Sequence, residues 1–147
     1  MDRGAAVLLT AVAGALVALQ TPINSTLGRA IGTWQAAFLS FAIGTAALAL
    51  VAALAGGGLG RVAGARDVSL LYLTGGLLGA AYVTSVLVTV RYLGLGGVTA
   101  ATIAAQLAIS VVVDQYGLLG VDRQPITVAR VAGVVLLGLG TYLVVRE

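Results

Sequence analysis

The chain has 147 residues, of which 60% are hydrophobic and only 9% are charged, and its mean hydropathy is +1.09. This composition excludes a soluble globular domain, because such a domain needs a more charged surface and has less apolar area to bury. The net charge of +3 comes from arginines that lie between apolar segments, so the sequence does not predict nucleic-acid binding.

Three residue types that carry much of protein chemistry are absent from the sequence, namely Cys, His and Lys. Without them the chain has no disulfide framework, no thiolate or imidazole metal ligand and no lysine nucleophile. No carboxylates are paired either, so a membrane enzyme is disfavoured. We therefore predict no catalytic residues, no metal site and no cofactor.

The apolar segments predict an all-α integral membrane protein with one domain, 1–147, and five transmembrane helices. A bilayer crossing takes roughly 20 apolar residues, and each segment approaches or exceeds that length. The predicted helices cover residues 5–27, 33–55, 69–90, 96–115 and 126–145.

The first helix has no charge between Gly4 and Gly28 and carries two amides on one face, Gln20 and Asn24. A signal peptide is the alternative interpretation, but the apolar run is longer than a typical signal sequence and its polar face continues beyond it. The amides are either hydrogen-bonding groups between helices or substrate contacts near Pro22, which interrupts the helical hydrogen bonds.

The second and third helices carry small residues at the spacing of close helix contacts. Ser40 and Gly44 form one such pair, and Gly75 and Gly79 form a GxxxG pair, so we predict packing roles for all four. A loop over residues 59–67 separates the two helices.

The third helix continues into a polar face that contains Tyr82 and Ser85. Tyr82 lies near mid-helix, away from the interfacial belt where tyrosine is usually found in membrane proteins. Both residues are candidate cavity contacts, although a packed aromatic with one hydrogen bond is the alternative for Tyr82.

The fourth helix has its polar residues four apart, so they lie on one face: Thr102, Gln106, Ser110 and Asp114. The rest of its surface is rich in alanine, which is typical of a helix packed inside a bundle. Gln106, at mid-helix, is the strongest candidate for lining a substrate cavity. Asp114 is either an interfacial acid at the helix end or a group for proton coupling.

The fifth helix begins near Arg130, on the same predicted side of the membrane as Asp114, so an ion pair between them is possible. Gly133 is a further predicted packing position. Five arginines on the N-terminal side against three on the other weakly favour a cytoplasmic N-terminus, and a bias this small also allows both orientations.

Several of these segments resemble one known family. The matching motifs are GALVALQTPIN (14–24), GGLLGAAYV (75–83), Gln106 and Asp114 followed by GLLG (117–120), and RVAGVVLLGLG (130–140). They resemble the YdcZ-like branch of the drug/metabolite transporter superfamily. The sequence departs from that family at Ala105, where Gly is usual, and at Arg91, where Pro is usual.

The resemblance implies a five-helix half-transporter, similar to one chain of the small multidrug exporters (EmrE-like), that pairs in inverted orientation or is fused into a ten-helix protein. We expect the first arrangement, an inverted ten-helix dimer. Those exporters use a membrane-embedded Glu for cation and proton exchange, and the first four predicted helices here contain no Glu. Drug-cation antiport by that mechanism is therefore disfavoured.

We expect a subunit that moves a small polar metabolite across the bacterial inner membrane by alternating access. Its expected partners are the lipid bilayer, a small-molecule substrate, and a second copy in antiparallel orientation or a paralogue. The alternative is a membrane subunit that does not transport but stabilises or regulates a paralogous partner.

Overall fold

The computed structural model describes residues 2–55 and 57–146, and all regular secondary structure in this part of the chain is helical. This confirms the predicted all-α fold, while pairing into a ten-helix dimer stays a prediction. The α-helices are α1 (Arg3–Ile31), α2 (Thr33–Leu54), α3 (Leu70–Leu73), α4 (Gly75–Tyr116) and α5 (Val128–Arg146), and two 3₁₀ helices cover Leu59–Asp67 and Leu118–Gly120.

Several helix boundaries differ from those predicted. α1 continues through Pro22 to Ile31, so the turn expected over residues 29–32 is reduced to Gly32. The segment 59–67, expected to be a loop, is a 3₁₀ helix, and α5 begins two residues later than predicted. The N-terminus of α1 is capped by Asp2, whose Oδ1 accepts a hydrogen bond from the Ala5 amide at 2.8 Å.

Four helical stretches in the described residues are long and apolar enough to cross a membrane. The third of them, Leu70–Tyr116, has 47 residues and joins the two helices predicted over 69–90 and 96–115. A bilayer crossing takes roughly 20 residues, so this stretch has enough residues for the two predicted crossings.

Gly94 interrupts α4, with φ 67° and ψ 172°. This conformation is open to glycine and costly for other residues, so the expected turn between the third and fourth helices is reduced to a single position. Arg91 stays helical, whereas a proline there would remove a backbone donor from the ladder.

The chain divides into two compact units, Met1–Val88 and Thr89–Glu147. In the first, α1 and α2 form an antiparallel hairpin around Gly32, which has φ 100° and ψ 149°. The buried centre of this unit contains Ala36 and Ala37 of α2 and Leu87 of α4, with Leu27 and Val83 packed against them. Two alanines at the centre allow close approach of the helices.

In the second unit, α5 runs antiparallel to the last part of α4. A Cβ placed on Gly96 would lie 3.7 Å from Val144, and one on Gly97 would lie 3.5 Å from Val145. The Thr141 hydroxyl donates to the backbone carbonyl of Ala100 at 3.0 Å. Glycines on α4 and a side-chain-to-backbone hydrogen bond thus hold this pair together.

Little of any spanning helix is buried within the chain. Of the 18 most apolar consecutive residues in each stretch, 6% are buried in α1, 6% in α2, 11% in Leu70–Tyr116 and 0% in α5. Most apolar side chains of these helices therefore face outward, as expected where lipid or another membrane chain covers them.

We predict that Gly32→Ala destabilises the hairpin by about 1 to 3 kcal/mol, the usual cost of holding a non-glycine residue in such a backbone region. A Cβ there would also lie 2.5 Å from Oε1 of Gln35. Thermal unfolding in detergent measures the change. Gly14→Ala in α1 is the matched control, because an added Cβ there meets nothing within 4 Å. Equal melting temperatures for both variants would contradict the prediction.

Candidate functional site

A groove in the first unit lies between α1 and the first part of α4. The groove is open to the surroundings, and its cavity volume is about 10 Å³, which is room for roughly one water molecule. Three of the predicted cavity residues, Gln20, Asn24 and Tyr82, line it together. The other lining residues are Val17, Thr21, Val83, Val86 and Leu87.

Asn24 is the buried polar residue of this groove, with only 6% of its surface exposed. Its Nδ2 donates to Oγ of Ser40 at 3.1 Å, which joins α1 to α2. Asn24 and Ser40 are each eight residues from Gly32, so the tight turn brings them opposite one another. The amide therefore makes the helix-to-helix hydrogen bond considered for it and also forms part of the groove wall.

Gln20, Thr21 and Tyr82 supply the other polar groups of the lining. Gln20 is exposed and Tyr82 is partly buried, while the Thr21 hydroxyl donates to the Val17 carbonyl of its own helix at 3.4 Å. An amide can donate and accept hydrogen bonds at once, and a phenol can do the same. Among the described residues, no charged side chain lines the groove. Its chemistry therefore suits an uncharged or weakly charged polar molecule with both donors and acceptors.

The remaining candidates on α4 differ in their surroundings. Ser85 donates from Oγ to the backbone carbonyl of Ala81 at 2.8 Å, one turn back in its own helix. In the second unit Thr102 is partly buried, whereas Gln106 and Ser110 are exposed. Polar side chains exposed on an apolar helix need a partner outside that helix, such as ligand, water or another chain.

Asp114 and Arg130 form the ion pair that the sequence allowed. Nη1 of Arg130 lies 3.2 Å from Oδ2 of Asp114, and each side chain is 34% exposed. The same Nη1 lies 3.4 Å from the carbonyl oxygen of Gln124. Partly exposed pairs of this kind stabilise a fold by at most about 1 kcal/mol. The pair joins α4 to the start of α5, and a coupling role for Asp114 stays a prediction.

The linker from α4 to α5 is held by a residue that the sequence did not single out, Gln115. Its Oε1 accepts from the Ile126 amide at 2.6 Å, and its carbonyl accepts from Nε of Arg123 at 2.9 Å. The carbonyl of Asp114 accepts from the Gln124 amide at 2.8 Å. Nothing in the sequence distinguishes this glutamine from Gln106, because its partners lie eight to eleven residues ahead in an extended segment.

The predicted packing positions also separate in the structure. A Cβ on Gly79 would lie 3.6 Å from the Phe41 ring, so this glycine gives α2 and α4 room to approach. At Gly44, Gly75 and Gly133 an added Cβ would meet nothing within 4 Å. Packing at these three positions therefore stays a prediction for contacts outside the chain.

No group of three or more His, Cys, Asp or Glu residues in the part of the chain that the structure describes could hold a metal ion. The candidate residues form two separate sets, uncharged polar side chains at the groove in the first unit and a polar face on α4 in the second. Binding and release of a polar molecule is the chemistry that such groups support, without a covalent step.

The sequence matches one family model, described as "Putative inner membrane exporter, YdcZ", over residues 5–143. The match covers almost the whole chain and includes both units. No curated protein and no solved structure matches the sequence.

We predict that Gln115→Ala speeds tryptic cleavage after Arg123 about fivefold, because the variant loses the hydrogen bond from the Ile126 amide to the linker-holding side chain, worth about 1 kcal/mol. The rate of fragment appearance on gels measures this. Gln106→Ala is the matched control, since it removes the same side chain from the same helix without touching the linker. Equal cleavage rates in both variants would show that Gln115 does not hold the linker.

Proposed function

We propose a transport mechanism for this chain, which belongs to the YdcZ family of inner membrane exporters. Its apolar helices are those of a multi-pass inner membrane protein. The proposed substrate is a small, polar, uncharged or weakly charged metabolite of a bacterial cell. The proposed mechanism is alternating access, in which two inverted halves rock about the substrate.

The observation that carries this proposal is the groove lined by Gln20, Asn24 and Tyr82. An amide or phenol within an apolar bundle costs free energy unless it is hydrogen-bonded. Asn24 has its partner in Ser40, but the exposed Gln20 amide is free to turn toward a ligand. The groove presents amide, phenol and hydroxyl groups beside apolar side chains, a combination that can orient a small polar molecule by hydrogen bonds.

The lining also supports the choice of substrate class. A lipophilic cation would be held by a carboxylate inside the membrane, and no carboxylate of the described residues lines the groove. Asp114 belongs to the other unit and forms an ion pair with Arg130. A neutral polar solute needs no such charge, since hydrogen bonds to amides and hydroxyls suffice to recognise it.

The proposed active form is an antiparallel homodimer of ten helices. Support comes from the small buried share of every spanning helix and from polar side chains exposed on α4, Gln106 and Ser110. A second membrane chain would cover apolar surface and could provide water or hydrogen-bond partners for these groups. We propose Gln106 and Ser110 as further substrate contacts.

We predict that Gln20→Leu and Gln106→Ala each abolish ligand-induced stabilisation while leaving expression, dimerisation and folding intact. A panel of amino acids, nucleosides, sugars and short carboxylic acids is added to the protein in detergent. A compound at 100 times its Kd should stabilise the wild type by about 2.7 kcal/mol, seen as a higher melting temperature.

Gln35→Leu is the control for this experiment, because Gln35 is also an exposed glutamine but lies beside the Gly32 turn, outside the groove. If Gln106→Ala unfolds or dissociates the protein, its amide is structural. If both site variants still bind, neither side chain contacts the substrate. Uptake of the stabilising compound by proteoliposomes that contain this chain alone distinguishes a transporter from a non-transporting subunit.

We predict that a cysteine appended at either terminus is labelled from both faces of the membrane. The natural chain has no cysteine, so each variant carries a single reactive thiol. Labelling of intact cells and of inverted vesicles with an impermeant maleimide gives the fraction in each orientation. One orientation for every molecule would rule out the homodimer and favour an oppositely inserted paralogue.

A further inference from the structure

The segment between α2 and α3 is a 3₁₀ helix over Leu59–Asp67. It connects the end of one spanning helix at Leu54 to the start of the next at Leu70. A segment in this position lies at one surface of the membrane, where headgroups and water meet the hydrocarbon.

The 3₁₀ geometry gives this segment two chemically different sides. With three residues per turn, side chains three apart are aligned along one edge. One edge consists of Leu59, Val62 and Ala65. As an α-helix the same residues would spread around the axis, so only the observed geometry aligns them. Leu59 and Val62 are exposed, at 51% and 66%.

The other two edges carry the charges of the segment. Arg61 and Asp67 lie on one edge with Gly64, and Arg66 lies on the other with Gly60 and Ala63. Two arginines and one aspartate leave a net positive charge of one. Arginine binds phosphate oxygens with a planar, multiply hydrogen-bonding group. The three glycine and alanine positions have small side chains that leave the guanidinium groups open to a partner.

We propose that this 3₁₀ helix lies on the bilayer surface and binds anionic lipid headgroups. Its apolar edge (Leu59, Val62 and Ala65) enters the boundary between headgroups and acyl chains, as an interfacial helix does. Arg61 and Arg66 contact the lipid phosphates from the polar edges. The segment is thus a lipid-recognition element that anchors the connection between α2 and α3.

A tryptophan placed on each edge tests the orientation of the segment. Trp34 is the only tryptophan, so Trp34→Phe gives a silent background. In it, Val62→Trp reports from the apolar edge and Gly64→Trp from a polar edge two residues further on. Neither position is sterically restricted: Val62 is exposed and Gly64 has no neighbour within 4 Å of an added Cβ.

Lipids brominated on the upper acyl chain should quench the fluorescence of Val62→Trp strongly and that of Gly64→Trp weakly. Aqueous acrylamide should quench them in the reverse order. Circular dichroism and gel filtration first establish that each variant is folded. If either tryptophan prevents folding, cysteine at the same position carries a bimane label instead, because the chain has no other thiol. Equal quenching at the two positions would overturn the proposed orientation.

The preference for anionic lipid is tested in the Val62→Trp background. Brominated phosphatidylglycerol, diluted into phosphatidylcholine, should be enriched near the tryptophan about fivefold over brominated phosphatidylcholine at the same fraction, the effect of one net basic residue at a membrane surface. Arg61→Gln with Arg66→Gln should abolish the enrichment. Arg29→Gln with Arg146→Gln removes the same charge elsewhere and should preserve it.

Two results would overturn the lipid preference. Equal quenching by the two brominated lipids in the starting protein would show that the segment has no affinity for anionic headgroups. Equal loss of enrichment in both arginine pairs would show that overall charge, and not this helix, attracts the lipid. If free glycerol phosphate abolished the enrichment of the anionic lipid, the segment would bind a soluble phosphate and not the bilayer surface.

Discussion

The one-residue turn at Gly32 is the constraint on which the packing of the first unit depends. With no linker to adjust, the register of α1 against α2 follows from counting outward from this residue. Gly28 then lies against Ala36, with an added Cβ 3.8 Å from the alanine Cβ, and Asn24 reaches Ser40 four residues further on. A buried amide in a membrane helix needs a partner, and the turn supplies one by position alone.

The antiparallel helices of the second unit are joined by a longer linker. This linker is eleven residues long, and hydrogen bonds to Asp114 and Gln115 at the end of α4 hold it in place. Gly117, at φ 60°, ends α4 in a left-handed conformation and lets the chain turn back. Leu119 has φ 59°, which is uncommon for leucine and costs about 1 to 2 kcal/mol. These hydrogen bonds and the Arg130 ion pair offset that strain.

In both units some polar side chains are hydrogen-bonded within the fold and others are exposed, and the two kinds suit different roles. Three polar side chains have hydrogen-bond partners within their own unit and hold its segments together: Asn24, Thr141 and Gln115. Gln20 and Gln106 are exposed on helices whose other exposed side chains are mostly apolar. A polar group that the fold leaves accessible at membrane depth is the better candidate for a substrate contact, because its hydrogen bonds remain to be made.

The sequence alone determined the helical class, the family and the approximate spans, because long uncharged segments allow only helices to satisfy the backbone in lipid. It also predicted Gln20, Asn24 and Tyr82 as cavity contacts from helical spacing, a local property. Tertiary structure decided what spacing cannot encode: the Asn24–Ser40 pair, the contact of Asp114 with Arg130, and the role of Gln115. Each joins residues distant in sequence, so it depends on turn geometry and helix register. The same holds for the 3₁₀ helix at Leu59–Asp67, whose aligned apolar edge exists only at three residues per turn.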